Sequence, residues 1–526
     1  MFSLAELSRY RSLSLQRSTV RWIIVRVFAN SGWTFLFAVI YAQSPLYTSN
    51  QNQYFLHGLA NASFGFLKND WLANTLDPTP LFSLLVSLTY TVFNTDIIFY
   101  IYYAILLGIY LFTLLGAGSL LYDLNQPETW LVYLALLLVL HSAGMRFFLS
   151  RALGPEWAYV LEGGLAGQRV LGVVFQPSTF GVLLVLSIYL FIKGHSYIAV
   201  FFLALAASFH PTYLLTAGII TLGYMVESFR EKRNLAKSLL IGALALLLVS
   251  PTLSYVFTAF GSTPAETTSQ ARDVLVYFRI PHHAVISEWF DITSVFQIAL
   301  ILAATYLVRR TRLFTVMTVS ILAAASLTFL QIARQDEALA LLFPWRISTI
   351  LVPLSVAILS AALVSNAFER FSSLKNSRGP ALTLASTVII LLVTVVGATR
   401  TILERQIIQS NEERDLMGFI ESEKKPEDVY LVPIKLQDFR LETGAPVYVD
   451  FKSIPYRDVE VLEWYRRIQL ATDLYDQSRI DCGLVDAFAA EGVTNLVIHV
   501  DETTISCDSV HLEYLDEQFG VYSIPR

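Results

Sequence analysis

The chain has 526 residues, 55% of them hydrophobic and only 15% charged, where an ordinary soluble domain carries about 25% charged residues. That balance excludes a conventional soluble globule, and a formal net charge of -5 gives no reason to expect nucleic acid as a partner. Apolar blocks follow one another to about Arg400, and a stretch rich in Asp, Glu, Arg and Lys comes after it. The expected organisation is an α-helical polytopic membrane domain over residues 1–400 followed by a small extracytoplasmic α/β domain over 401–526.

A hydrocarbon core about 30 Å thick needs about 20 helical residues. In chain order, stretches that meet or approach that length are Arg21–Gln43, Ile97–Leu121, Trp130–Met145, Leu171–Ile192, Ser238–Phe257, Phe290–Val308, Leu313–Leu330, Ile347–Val364 and Leu382–Ala398. Tyr197–Phe209 and Tyr213–Phe229 flank His210-Pro211-Thr212 and read as a helical hairpin turning at the proline. Helices satisfy their own backbone groups in lipid, so a helical bundle is the expected form. Arg9, Arg11, Arg17 and Arg21 precede the first stretch, which reads as a signal anchor.

Short basic loops stay cytoplasmic. The basic N-terminus and the loops Arg230/Lys232/Arg233/Lys237, Arg309/Arg310/Arg312 and Arg370/Lys375/Arg378 must therefore share one side. Their parity holds if Leu81–Phe93, roughly 20 Å long as a helix, lies on the outer leaflet instead of crossing it. About eleven crossings follow, with the N-terminus inside and the tail outside. Arg146, Arg151 and Arg169 strain this arrangement on the outer side, partly offset by Glu156 and Glu162.

In the tail, Asn411–Ile420, Val459–Leu470 and Leu484–Glu491 read as helices, and Val429–Val432, Val447–Val449, Asn495–Val500, Val510–Leu515 and Gly520–Ile524 as strands. The two cysteines, Cys482 and Cys507, both fall there. An extracytoplasmic domain can keep them as a disulfide, and two buried thiols are the alternative.

Ionisable residues near a bundle's outer mouth mark a candidate site. They are Asp70 beside Trp71, Asp77 in Asp77-Pro78-Thr79-Pro80, Glu156, His210, the pair His282-His283 after Arg279, and Arg346 in Pro344-Trp345-Arg346. Each has a structural alternative. Asp77 can start a helix, Asp70 can anchor at the interface, His210 can close its hairpin, and adjacent histidines make a poor chelate on a helix. Arg346 has a planar fork suited to phosphate, and its other role is snorkelling beside Trp345. In the tail, Arg440, Asp450 and Lys452 read as structural ion pairs before they read as ligand contacts. The chain carries no Gly-x-Gly-x-x-Gly, P-loop, His-Glu-x-x-His or Gly-x-Ser-x-Gly motif, and no paired discontinuous helices of a transporter.

The layout resembles the GT-C superfamily of membrane glycosyltransferases. Asn52-Gln53-Tyr54 stands where that family shows an acidic pair before an aromatic residue. Asp77-Pro78-Thr79-Pro80-Leu81-Phe82 is similar to its segment opening a juxtamembrane helix. Pro344-Trp345-Arg346-Ile347 with Val352-Pro353-Leu354 is similar to its late arginine helix. The tail also resembles one found in uncharacterised bacterial membrane proteins.

The resemblance implies transfer of a sugar from a polyprenyl-phosphate donor to an extracytoplasmic acceptor, at a bacterial inner membrane. Asp70 or Asp77 would serve as base in place of the missing acidic pair. Asn52, Gln53, Tyr54, Glu156, His210, His282, His283 and Arg346 would contact substrate. No cofactor is demanded, and a divalent metal is compatible with the class. The competing reading is a non-catalytic lipid-linked-saccharide translocase or an envelope-assembly subunit.

Overall fold

A computed structural model describes residues 29–261, 263–370 and 379–525. The N-terminal arginines Arg9, Arg11, Arg17 and Arg21, and Lys375 and Arg378 of the third basic loop, lie outside the described residues.

Among the described residues, five helices are long and apolar enough to cross a membrane: Ile97–Tyr122, Leu235–Ala259, Arg312–Arg334, Glu337–Arg370 and Gly379–Gln409. They differ in what surrounds them. The apolar stretch of Glu337–Arg370 is almost wholly buried, and its Ser348–Arg370 part packs against Ile97–Tyr122, Pro127–Leu140 and Ile292–Leu307 at the centre of the bundle. Gly379–Gln409 is mostly exposed although equally apolar, as expected of a helix whose solvent is lipid.

Two expected spans take another form. Trp130–Met145 is not one continuous helix, because Pro127–Leu140 and Ala143–Leu153 meet at a 53° bend. The reason lies at the break: His141 and Ser142 leave the helix, and the Ser142 hydroxyl accepts from Met145 N and so starts a new one. Leu171–Ile192 is helical only from Pro177 onward, beginning with the 3-10 turn Pro177–Gly181 and continuing as Val182–Ile192.

The hairpin at His210-Pro211-Thr212 forms as expected, between Ser196–Phe209 and Leu214–Lys232. Pro80–Phe93 forms a 14-residue helix with Phe82, Ser83, Val86 and Thr89 buried and Leu84, Leu88 and Val92 exposed. The 3.6-residue period thus gives it one face for the protein and one apolar face outward.

The C-terminal segment builds a four-stranded sheet in the order β1-β3-β6-β5, with β1 Tyr430–Leu431, β3 Asn495–His499, β5 His511–Leu515 and β6 Phe519–Ser523. β1 and β3 run parallel, and β6 is antiparallel to both β3 and β5. β2 (Arg479–Asp481) and β4 (Thr504–Ser506) form a separate parallel pair that the sequence reading missed. The disulfide Cys482–Cys507 closes directly beyond that pair. Val447–Val449 makes a single bridge to Tyr430 and not a strand.

Helices Glu413–Glu423, Asp458–Tyr475 and Cys482–Ala490 occupy the positions read from the sequence. The amphipathic first of them buries Leu416, Met417 and Ile420. The segment does not stand apart from the bundle. Its Leu441 lies in the same core as the apolar helices, and Ala271 of the helix Ala265–Asp273 and Val274 directly after it join Trp464 and Val461 in its own core.

Candidate anion site at the seam of the first loop and the C-terminal segment

The short helix Gln51–Tyr54 buries Gln51, Asn52 and Gln53, and the last two hydrogen-bond to the C-terminal segment. Asn52 Nδ2 donates to Asp438 Oδ1 at 2.5 Å, and Ser453 Oγ donates to the Asn52 carbonyl at 3.1 Å. The Gln53 amide clasps the Ile454 backbone, with Nε2 to its carbonyl at 3.0 Å and Oε1 from its N–H at 2.6 Å. Tyr54 lies beside Tyr456 and sets its ring edge-on to His210, centroids 5.8 Å apart. An amide can donate and accept at once, so Asn and Gln suit a buried seam that a carboxylate would charge.

Arg346 enters from the 3-10 turn Pro344–Ile347, which leads into Ser348–Arg370. Its Nη1 donates to Thr212 Oγ1 at 2.7 Å and to His210 Nε2 at 3.1 Å. A guanidinium only donates, so His210 accepts at Nε2 and carries its proton on Nδ1. That Nδ1 and the Arg346 Nε are both buried without a partner.

Arg279 closes the π-helical turn Val274–Arg279, donates from Nη2 to the Lys452 carbonyl at 2.6 Å and stacks over Phe451 at 5.1 Å. Its Nε is likewise buried and unpartnered. His283 donates from Nδ1 to the Ala166 carbonyl at 2.5 Å, and the His282 ring lies 4.1 Å from it. Arg169 stacks on Tyr159 at 3.9 Å.

None of Arg169, Arg279, Arg346 and Lys452 forms an ion pair among the described residues. Their mutual repulsion is legible in the titrating groups. Burial, then Arg279, holds Lys452 below the usual lysine range. Burial, then Arg279 and Lys452, lowers His282. Burial and His282, with Arg346 and Arg169 adding, push His283 down to about 3. Unpaired cations beside buried, unpartnered N–H groups are costly unless an anion completes them. Guanidinium forks and an ammonium are the donor set for a phosphate.

The sequence-predicted residues divide. Asn52, Gln53, Tyr54, His210, His282, His283 and Arg346 meet around this seam, although Asn52 and Gln53 bind the C-terminal segment. Asp70 requires a correction as a candidate base. It is fully buried, its Oδ1 accepts from Leu72 N (2.8 Å) and Ala73 N (3.3 Å), and its Oδ2 from Arg440 Nε (2.8 Å) and Val447 N (2.9 Å). With both oxygens filled and Arg440 also bound to Asp450, it locks the two parts of the chain together.

Asp77 Oδ1 accepts from Thr79 N at 2.9 Å just ahead of Pro80–Phe93, so its side chain organises the helix start. Glu156 stands exposed on the turn Pro155–Trp157 with its carboxylate folded against Gly154. It is Glu162 that pairs with a buried arginine, Arg146, at 3.0 Å.

Sequence reasoning had noted Arg279 and Lys452 without assigning them to the site, and it passed over Asp438, which no motif marks. Among the described residues no group of three or more His, Cys, Asp or Glu side chains is placed to hold a metal ion.

Compared with known proteins, residues 411–471 match a family described as a domain of unknown function, DUF6798. No curated protein matches. Among solved structures, the chain is similar to ArnT from Cupriavidus metallidurans bound to undecaprenyl phosphate, at 12% identity over 95% of this chain and 98% of that one, TM-score 0.49. It is also similar to the same protein in the apo state, at 12% identity over 96% and 98% of the two chains, TM-score 0.47.

Proposed function

We propose that this chain is a GT-C-like glycosyltransferase that moves a sugar from a polyprenyl-phosphate donor to an acceptor on the extracytoplasmic side of a bacterial inner membrane. In this reading residues 1–400 cross the membrane about eleven times, and 401–526 sit outside it. Pro80–Phe93 rests on the outer leaflet with its apolar face in the lipid.

The observation that carries the reading is the seam itself. Arg279, Arg346 and Lys452 present cationic donors that form no ion pair among the described residues, beside a bundle whose apolar helices would reach into lipid. A phosphate there would be held by the two arginines and the lysine, with Arg169 and His282 at its edge. In transfer, the same donors would stabilise the charge that develops on the departing phosphate. Asp77, half-exposed on the first loop, is the carboxylate the sequence offered for the acceptor's proton, and its Oδ1 is already engaged by Thr79 N.

The test is binding of undecaprenyl phosphate to the full chain in detergent or nanodiscs. Arg279→Ala and Arg346→Ala should each weaken it at least tenfold while the protein stays folded. Unchanged affinity in both would remove the site and the reading with it. The non-catalytic reading draws support from Asn52 and Gln53, whose amides join the chain's two parts and do not face a substrate. Binding without sugar release would favour it.

A further inference from the structure

Transfer of a sugar to a hydroxyl needs a group that takes the hydroxyl proton. The carboxylates around the seam can be sorted by what already holds them. Asp70 and Asp450 share Arg440 and are buried with it. Asp450 Oδ1 accepts from Ser453 N at 2.7 Å as well. Glu162 is paired with Arg146, and Asp77 holds the turn before Pro80.

Asp438 differs from all of these. It sits directly ahead of the short helix Phe439–Thr443, yet its side chain makes no cap hydrogen bond there. Instead it reaches across the seam to Asn52. Only Oδ1 is engaged, by the Asn52 amide at 2.5 Å, and Asp438 forms no ion pair among the described residues. Asn52 is buried and is itself held through its carbonyl by Ser453, so the carboxylate is fixed in orientation while Oδ2 stays unengaged.

Resting on the glycosyltransferase reading above, we propose that Asp438, delivered by the C-terminal segment onto the first loop, is the catalytic base of this site. Its carboxylate takes the proton of an acceptor alcohol as that oxygen forms a bond to the anomeric carbon of the sugar. The bond from that carbon to the phosphate oxygen breaks, and its electron pair leaves with the lipid phosphate, held by Arg279, Arg346 and Lys452. The aspartate is returned by releasing its proton to water.

The electrostatics are in keeping with this role. Burial pushes the Asp438 carboxyl up to about 6, Asn52 and Lys452 pull it down, and Glu413 and Asp450 push it up. The group is therefore ionised at neutral pH yet more basic than an ordinary aspartate, as a general base should be.

The experiment uses the full chain reconstituted in phospholipid vesicles. It reads undecaprenyl phosphate binding, together with release of undecaprenyl phosphate from a panel of synthetic undecaprenyl-phosphate hexoses, pentoses and amino sugars. A native-membrane lipid and glycan extract serves as acceptor. Asp438→Asn should keep lipid binding within about twofold and lower kcat at least about 100-fold. Asp438→Glu should restore part of it, and the wild-type kcat/KM should rise with pH through about 6.

Wild-type turnover in Asp438→Asn overturns the assignment and leaves the transferase reading intact. Loss of lipid binding alongside turnover makes Asp438 a structural residue and overturns it too. A wild-type chain that binds the lipid and releases no sugar from any donor overturns the transferase reading, and the base falls with it.

Discussion

Asp70 and Arg440 are 370 residues apart in sequence and 2.8 Å apart in space. Both are buried, and although Arg440 keeps Asp450 when Asp70 is removed, Arg440 Nε and the backbone N–H groups of Leu72, Ala73 and Val447 lose their acceptor in the interior. Leaving a buried donor without its acceptor costs about 1–3 kcal/mol for each group. Asp70→Ala should accordingly lower the melting temperature sharply, read by a thermal melt in detergent, and any lost activity should track lost folded protein. Arg346→Lys makes the opposite case. It keeps the charge, and one nitrogen can still meet Thr212 and His210 as Nη1 does, but it loses Nε and the planar donor set suited to phosphate. Its melting temperature should stay near wild type while undecaprenyl phosphate binding weakens about tenfold or more, which equilibrium binding would show. An acid in the first loop was visible in the sequence, but which acids were already bound was not, because their partners come from the far end of the chain.

At the scale of elements, the contact between the first loop and the C-terminal segment depends on a backbone crossing that only glycine permits. Gly65 and Gly444 both have positive φ, +51° and +66°, and Phe66 N donates to the Gly444 carbonyl at 2.8 Å. A Cβ on Gly65 would lie 2.3 Å from that carbonyl oxygen. Backbone on both sides cannot yield cheaply, so Gly65→Ala should loosen the seam. Its expected signature is faster proteolysis of the C-terminal segment and weaker lipid binding together. The disulfide Cys482–Cys507, which closes a sequence separation of 25, supports the opposite end of the same segment. Cys482→Ser should cost about 2–4 kcal/mol, measured as a lower denaturation midpoint, and should leave lipid binding unchanged in protein that stays folded. Most of these helices and strands were legible from periodicity. The break at His141-Ser142 was not, since a capping hydroxyl inside an apolar run carries no periodic signal.

Across the whole molecule, the seam gathers cations that form no ion pair among the described residues, in a chain whose net charge is -5. Lys452, His282 and His283 are all held below their ordinary values by burial and by their cationic neighbours. An anion arriving there reverses the neighbours' effect and raises those values. Binding must then take up protons, and affinity must rise as pH falls below neutral toward the range where His282 becomes charged in the complex. Titration calorimetry of undecaprenyl phosphate in two buffers of different ionisation enthalpy reports that uptake directly. Proton release, or no exchange, would mean that the lipid phosphate binds away from this cluster. High salt should weaken binding only modestly, because partly buried charges are poorly screened.

What the sequence determined alone is what depends on local pattern: apolar stretches long enough to cross a bilayer, a hairpin turning at His210-Pro211, and the helices and strands of a polar C-terminal segment. Hydropathy and periodicity are properties of neighbours in the chain, so they can be read along it. The tertiary structure alone decided that Asn52 and Gln53 face Asp438 and Ile454, that Asp70 is locked to Arg440, and that Arg279, Arg346 and Lys452 converge without forming an ion pair among the described residues. Those facts depend on residues far apart in the chain, 386 positions for Asn52 and Asp438 and 370 for Asp70 and Arg440. The free energy of a buried charge is set by the groups folding brings beside it, and not by its neighbours in sequence.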